Sequence, residues 1–390
     1  MKDIRAVFDI GNDVIKGFVF ANDNEKDIVL AKQTEITQGM RKGKILDSEN
    51  FAATINKITE TFIKKLGGDF IDEVFVSISH PEMIINRVIE QKRVMKDEIE
   101  AEDVEHLSKI IGEISDKNNY EIIKIVPVCW IIDEQRKEKD PIGLKGKKLE
   151  LIADVFMIPK SIYNGITETF EKIGLNIADI IPNIIAASEI TLDYDNKDLG
   201  TVLIDIGKNQ TSYVIYEDGY TLGYGTIPIG GEDVTKDISI GMQVDIKEAE
   251  NIKKTHGTAI VDVNLSEENT LDIHFLSDII NARYEEIFIK INDHLKKLDR
   301  DGRLAGGIKL IGGGAKMPNL DLLAKDIFKL ATFYGKDHIL NLGDLSTNIQ
   351  FMNVLGAYVR SKKYTEGRKG SFKLNFDVVG SVSKFFKDLF

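Results

Sequence analysis

The chain repeats one short pattern of apolar and polar positions far apart, VFDIGNDVIKGFVF at residues 7–20 and VLIDIGKNQTSYVIY at 202–216. In each, an apolar strand ends in Asp-Ile-Gly, a polar turn follows and a second apolar run returns, which predicts two β-hairpins. Helical periodicity comes next. In SENFAATINKITETFIKKLGG, Phe51, Ile55, Ile58 and Phe62 share one face, with Ser48 as the expected cap and Gly67 and Gly68 as the stop. EVFVSIS at 73–79 alternates as a half-buried strand. A second helix, carrying Ile162, Ile166, Phe170 and Ile173, is predicted from Pro159 to Gly174, and the strand IADIIP follows it. From about 84 to 157 the chain is rich in charge and holds the strands IIKIVPVCWIID and KKLELIADVFMI, which reads as an inserted small domain. A long helix is predicted over 277–299, then a DRDG turn and the strand GIKLIGGGA, whereas 361–379 loses periodicity and reads as a linker. Strands and helices interleaved in this way predict an α/β layered fold.

Composition narrows the picture. With 390 residues, 43% hydrophobic and 29% charged, the chain is globular in type and long enough for two or more domains. A net charge of -12 argues against nucleic acid as a partner, because most of the surface would repel a polyanion. A single cysteine, Cys129, permits no intramolecular disulfide or Cys-based zinc site and fits a reducing cytoplasm. The six histidines are scattered without ligand spacing, and Trp130 beside Cys129 reads as core. The N-terminus runs straight into a strand pattern, and no apolar run approaches the roughly 20 residues of a spanning helix.

The two hairpins raise a question of chemistry. A carboxylate beside a phosphate is repulsive unless a hydrated cation lies between them, so Asp9 and Asp205 suit Mg²⁺ held through water. One such turn alone is equally an ordinary hairpin with a surface Asp, but two in matching strand contexts point to phosphate binding. A third cluster, Gly312, Gly313 and Gly314, follows a buried strand, where missing side chains let a flat ring lie against backbone. By itself that run is equally a tight turn.

The last eleven residues, GSVSKFFKDLF, supply a second signal. Val382, Phe385, Phe386 and Leu389 fall at i, i+3, i+4 and i+7, Phe390 extends that face, and Lys384 and Lys387 lie opposite, which predicts an amphipathic helix. Its alternatives are docking on the protein's own core or lying on a membrane surface. The preceding linker favours the membrane, as does charge: residues from 361 on carry a net +4 against -16 for the rest, which suits an anionic leaflet. Five buried apolar side chains give at most about 7 to 15 kcal/mol before ordering costs, so one tail binds reversibly and many linked tails bind firmly.

Phosphate turn, second phosphate turn and adenosine turn, in this order, resemble the actin/Hsp70/sugar-kinase ATPase superfamily. Within it the chain is most similar to the family of the bacterial cell-division protein FtsA, through VFVSISHPEM, FEKIGLNIADIIPNIIAAS, IPIGGEDVTKDI, AENIKKTHG, ARYEEIF and above all the KDPIGLKG region. The resemblance implies an actin-like two-lobed fold of duplicated ribonuclease H-like cores with an FtsA-type inserted small domain. It divides the chain into a first-lobe core (1–83 and 159–196), the insert (84–158), a second-lobe core (197–230 and 303–345) with a smaller subdomain (231–302), a return to the first lobe (346–360), a linker (361–379) and the tail helix (380–390).

Carried over position by position, Asp9, Gly11, Asn12, Asp13 and Lys16 match the first phosphate motif, with Lys16 suited to neutralising phosphate charge. Asp205, Gly207, Lys208, Asn209, Gln210 and Thr211 match the second, where Lys208 and Asn209 replace the family's usual glycines. Gly230 and Gly231 match a turn near the family's cleft. Glu250 and Lys253 fall where related ATPases contact the ribose, although an i, i+3 pair is equally an exposed helix face. Asn183 stands where related filament ATPases carry a water-positioning Glu; an amide is no general base, so slow or negligible hydrolysis is expected. The resemblance further implies ATP and Mg²⁺ as cofactors, self-assembly into filaments, recruitment of divisome proteins and binding of the FtsZ C-terminal peptide at the cytoplasmic face of the division site. Arg283, Lys290, Lys297 and Arg300 are candidates for that peptide, and are equally ordinary solvated charges. A pilus-assembly protein of the PilM type is the nearest alternative, and a sugar kinase a more distant one.

Overall fold

The computed structural model describes residues 3–23, 26–68, 71, 73–261 and 272–369. They form two compact units, one comprising the chain to Ile10, Val14–Ala186 and the chain from Gly356, the other Gly11–Asp13 and Ala187–Leu355.

In the first unit, β1 (Asp3–Ile10), β2 (Val14–Asp23) and β3 (Lys26–Ile36) run antiparallel, and a small ribbon of β4 (Met40–Arg41) and β5 (Lys44–Ile45) leads to α1 (Ser48–Lys65). Asp47, not Ser48, caps that helix: in extended backbone its Oδ1 accepts from the amides of Glu49 (3.1 Å) and Asn50 (3.0 Å). The next strand, β6 (Glu73–Ile78), is parallel to β1 and buried continuously from Val74 to Ile78. It is an interior strand covered on both faces, which is why it is not half exposed.

The insert follows. β7 (Ile84–Arg93), α2 (Ala101–Ser115), β8 (Tyr120–Ile132), β9 (Arg136–Glu138) and β10 (Lys148–Pro159) make a separate antiparallel sheet in the order β7-β10-β8-β9. Fully buried Trp130 packs with Val104, Leu107 and Ile111 of α2 and with Leu149 and Leu151 in its core. The chain then returns through α3 (Lys160–Lys172) and β11 (Asn176–Pro182), which completes the first sheet in the order β11-β6-β1-β2-β3, and enters α4 (Asn183–Thr191). Phe8 of β1 lies against both Phe62 of α1 (5.6 Å between ring centroids) and Phe170 of α3 (5.3 Å), so the two helices share one face of the sheet.

The second unit rebuilds the same sheet. After α5 (Tyr194–Leu199), β12 (Thr201–Ile206), β13 (Thr211–Glu217) and β14 (Tyr220–Ile227) form an antiparallel meander. Three helices follow, α6 (Gly231–Met242), α7 (Ile246–His256) and α8 (Ile273–Lys297). Next, β15 (Gly307–Ile311) pairs parallel with β12, and β16 (Thr332–Tyr334), beyond α9 (Leu320–Phe328), pairs parallel with β15. The order β16-β15-β12-β13-β14 is the first unit's order repeated. Short α10 (Asp344–Thr347) and long α11 (Met352–Lys369) close the described chain.

Three boundaries differ from those read in the sequence. The second unit begins at Ala187 rather than 197 and runs to Leu355 rather than 345. The segment read as a linker from 361 starts in helix, because α11 is held to the first sheet beyond that point. Tyr358 stacks on Phe20 (4.0 Å) and donates to Asp27 Oδ1 (2.6 Å), and Lys362 Nζ meets Asp27 Oδ2 at 2.6 Å. Burial pushes the Asp27 carboxyl upward, but the Lys362 and Tyr358 contacts outweigh it and hold it below its ordinary range.

His80, between β6 and β7, carries a pH dependence. It is buried, and Nδ1 accepts from the Glu82 amide at 3.0 Å, so the neutral ring keeps its proton on Nε2. Burial lowers its pKa from 6.5 to about 4, with the Glu82 charge opposing in part. The unfolded chain therefore binds a proton below about pH 6.5 that the folded chain refuses until about pH 4, and stability falls as pH drops through that window, by roughly 3 kcal/mol from this group. Unfolding midpoints measured from pH 7 to 4 are expected to decline, with a visibly shallower slope in His80→Gln.

Candidate nucleotide site

Two carboxylate clusters occupy equivalent places in the duplicated sheets. In the first unit, β1 and β2 pair Asp9 with Lys16 in register, and Lys16 Nζ lies 2.6 Å from Asp9 Oδ2. Asn183, the first residue of α4, donates from Nδ2 to Asp9 Oδ1 at 3.1 Å. Asp9 and Asn183 are both buried, and the Asn183 Oδ1 has no hydrogen-bond partner. Lys16 thus neutralises Asp9 in the structure. The turn itself, Gly11, Asn12 and Asp13, is half-buried to exposed.

In the second unit, buried Asp205 ends β12 in the same way, and its Oδ2 accepts from Asn353 Nδ2 of α11 at 3.0 Å. The turn that follows closes through Gly207 N–H to Gln210 C=O (2.9 Å). Its unusual side chains each have a place. Lys208 Nζ meets Asp13 Oδ1 at 2.9 Å, Asn209 donates to Glu232 Oε2 at 2.7 Å, and Thr211 donates to the Ile229 carbonyl at 2.9 Å. Gln210 is buried with both amide atoms unpartnered.

Gly230 and Gly231 serve this turn directly. The amides of Gly231 and Glu232, at the start of α6, donate to the carbonyls of Gly207 (2.9 Å) and Lys208 (2.7 Å). A Cβ on Gly230 would stand 2.6 Å from both carbonyl oxygens, so only glycine permits the approach. Those two amides face the hairpin's carbonyls rather than a ligand.

Glu250 and Lys253 are not a solvated pair. Lys253 Nζ contacts Glu250 Oε2 (2.6 Å), Thr235 Oγ1 (2.7 Å) and the Gly231 carbonyl (2.9 Å), which ties α7 to the first turn of α6. Burial raises the Glu250 carboxyl, but its contacts with Lys253 and Thr235 prevail and its pKa is lowered.

The triple glycine divides by role. Gly312 has φ +93°, and a Cβ there would collide with Asp205 Oδ1 and the Ile206 carbonyl; one on Gly314 would strike the Ile206 side chain. A Cβ on Gly313 would meet only Gln350 Nε2, at 3.4 Å. Gly312 and Gly314 are therefore fixed by packing on the end of β12, and Gly313 is the position whose bareness packing does not demand. Tyr284 of α8 braces the turn by donating to the Gly314 carbonyl at 2.8 Å.

The candidate partner residues separate similarly. Arg283 makes a two-pronged contact with Asp237 (2.6 and 2.9 Å) and Arg300 meets Glu217 at 2.6 Å, whereas Lys290, exposed, lies 3.6 Å from Glu286 and Lys297 is exposed. Ile240 and Phe275 of the same subdomain are exposed although apolar. The tail residues Val382, Lys384, Phe385, Phe386, Lys387, Leu389 and Phe390 lie outside the described residues. Among the described residues no helix is long and apolar enough to cross a membrane.

Residues 202–356 match the family described as Cell division protein FtsA, and residues 80–157 match the SHS2 domain inserted in FtsA. Cell division protein FtsA of Enterococcus hirae is 30% identical, over 82% of this chain and 75% of that protein. The chain belongs to the FtsA family. Cell division protein FtsA of Bacillus subtilis is 26% identical over 98% of this chain and 89% of that protein. Among solved structures, the PilM-PilN type IV pilus biogenesis complex superposes with TM-score 0.66 and 16% identity, covering 91% of this chain and 98% of the matched one. MreB5 of Spiroplasma citri bound to AMPPNP gives 0.57 and 13%, covering 95% and 99%. These likenesses establish an actin-like fold, and the FtsA-family chain is an actin-like cell-division protein.

Proposed function

We propose that this FtsA-family chain binds ATP with Mg²⁺, assembles with copies of itself and joins FtsZ filaments to the cytoplasmic face of the membrane at the division site, where it helps to recruit other divisome proteins. The observation that carries the nucleotide part is the twin arrangement of Asp9 and Asp205, two buried carboxylates at equivalent strand ends, each beside a glycine-containing turn. In each unit the residues present suit a hydrated cation: in the first the Asp9 carboxylate with the unpartnered amide oxygen of Asn183, in the second the Asp205 carboxylate with those of Asn353 and Gln210. Asp9 and Asp205, each in its own unit, would hold a cation through water, Lys16 and the amides of Gly11–Asp13 and Lys208–Gln210 would face phosphate, and Gly313 would lie against adenine, with Glu250 and Lys253 toward the ribose. Asn183 in place of a carboxylate base supports slow turnover, with ATP acting as a clamp.

The membrane part rests on the amphipathic pattern of 380–390 and the positive charge before it. Because α11 runs to Lys369, about ten residues separate it from that pattern. For the FtsZ peptide, exposed Lys297 and Lys290, the latter held by a single 3.6 Å contact with Glu286, with Ile240 and Phe275 suit an acidic, amphipathic ligand better than the more tightly held Arg283 and Arg300. Co-sedimentation with anionic vesicles and FtsZ tests the whole reading. The full chain with ATP is expected to carry FtsZ into the vesicle pellet, and a chain ending at Val379 to leave it in solution. Equal recovery of FtsZ with both chains would remove the tether.

A further inference from the structure

We propose that Asn353 is a positioning residue of the second phosphate cluster: its Nδ2 fixes the Asp205 carboxylate, and its Oδ1 accepts from a water in the hydration shell of a divalent cation bound with nucleotide. The inference rests on the nucleotide reading above and adds to it a residue that no motif singled out. Its ground is internal duplication. Asn183 and Asn353 each stand near the start of a helix beyond the fifth strand of a sheet of the same order, Asn183 as the first residue of α4 directly after β11 and Asn353 as the second of α11, which follows β16 and short α10. PNIIAA at 182–187 and MNVLGA at 352–357 are alike in pattern.

Each carboxamide donates to the buried Asp at the end of the central strand, at 3.1 Å for Asp9 and 3.0 Å for Asp205. Each keeps an Oδ1 that is buried without a partner, on side chains of residues 4% and 9% exposed. Nothing in the packing of an apolar helix requires a buried amide, and leaving its oxygen unpaired is unfavourable. That it occurs twice, in equivalent places, points to the same kind of partner in each unit. An amide meets both needs of such a site. It donates to the carboxylate and accepts from water, and it adds no negative charge beside phosphate. A carboxylate there would have nothing to donate to Asp205, and an apolar side chain would offer neither bond.

Titration of the full chain with a fluorescent ATP analogue, in EDTA and in millimolar Mg²⁺, separates these roles. In the unsubstituted chain Mg²⁺ is expected to strengthen binding. Asn353→Leu is expected to cut that Mg²⁺-dependent gain roughly tenfold, with affinity in EDTA changed less than about twofold. Asn353→Asp is expected to weaken binding in EDTA roughly tenfold and to enlarge the Mg²⁺-dependent gain, since the added charge repels phosphate and attracts the cation. Asn353→Asp preserves size, so it decides the matter if Asn353→Leu does not fold. A gain equal to the unsubstituted chain's in whichever variants fold would overturn the assignment of Asn353 alone. Absence of binding by the unsubstituted chain in both buffers would overturn the nucleotide reading, and this assignment with it.

Discussion

Gly312→Val is expected to destabilise the second unit by about 2 to 6 kcal/mol, whereas Gly313→Val leaves its unfolding midpoint nearly unchanged and weakens ATP binding. The first figure combines two costs. A β-branched residue at φ +93° is strained by about 1–3 kcal/mol, and forcing a side chain into a packed turn adds a similar amount. The colliding atoms are Asp205 Oδ1 and the Ile206 carbonyl, and strand β12 has little room to yield, since it is paired on one side with β13 and on the other with β15. Gly313 meets no such obstacle. A valine there covers the one open stretch of the turn, so its effect is expected in nucleotide affinity, by roughly tenfold or more if adenine lies against it. Urea unfolding and nucleotide titration of both variants check this pair. Equal loss of stability in both would mean that the run of glycines is a tight turn and nothing more.

Lys16→Met is expected to cost about 3 kcal/mol or more. The Asp9 side chain is 2% exposed and Lys16 Nζ is 2.6 Å away, so the substitution leaves a buried charge beside the Asn183 amide and without its cation. Asp9→Asn combined with Lys16→Met removes the charge as well as its partner, and is expected to recover most of the loss. The double variant would still fail to bind Mg²⁺ and nucleotide normally. Should the single variant unfold at the same urea concentration as the unsubstituted chain, the Lys16 and Asp9 pair contributes nothing to the first sheet and both residues are held only for a ligand.

The strand and turn chemistry of both hairpins was legible from the pattern of apolar residues, because each Asp-Ile-Gly interrupts a run long enough to be a buried strand. The family resemblance then named the candidate site residues. What could not be read depends on contacts across the fold. Asn353 is a single polar residue in the apolar stretch MNVLGAY, and only its approach to Asp205 distinguishes it. The polar stretch after Arg360 breaks periodicity, yet it continues α11 because Asp27, more than 330 positions earlier, meets Lys362 and Tyr358. Glu250 and Lys253 share the spacing of any surface ion pair, and burial against Thr235 and Gly231 separates them from one. The cap of α1 moved by one residue for a local reason: Asp47 and Ser48 can both accept from a helix amide, and the extended backbone at Asp47 places its carboxylate over two of them.

Calorimetric titration of ATP into the full chain decides whether this cell-division chain carries the proposed Mg²⁺-dependent nucleotide site. Saturable binding of about one ATP per chain that tightens when Mg²⁺ replaces EDTA, and is lost in Asp205→Ala with the fold intact, is the predicted result. Binding that is absent in both buffers, or unaffected by Asp205→Ala, would contradict it.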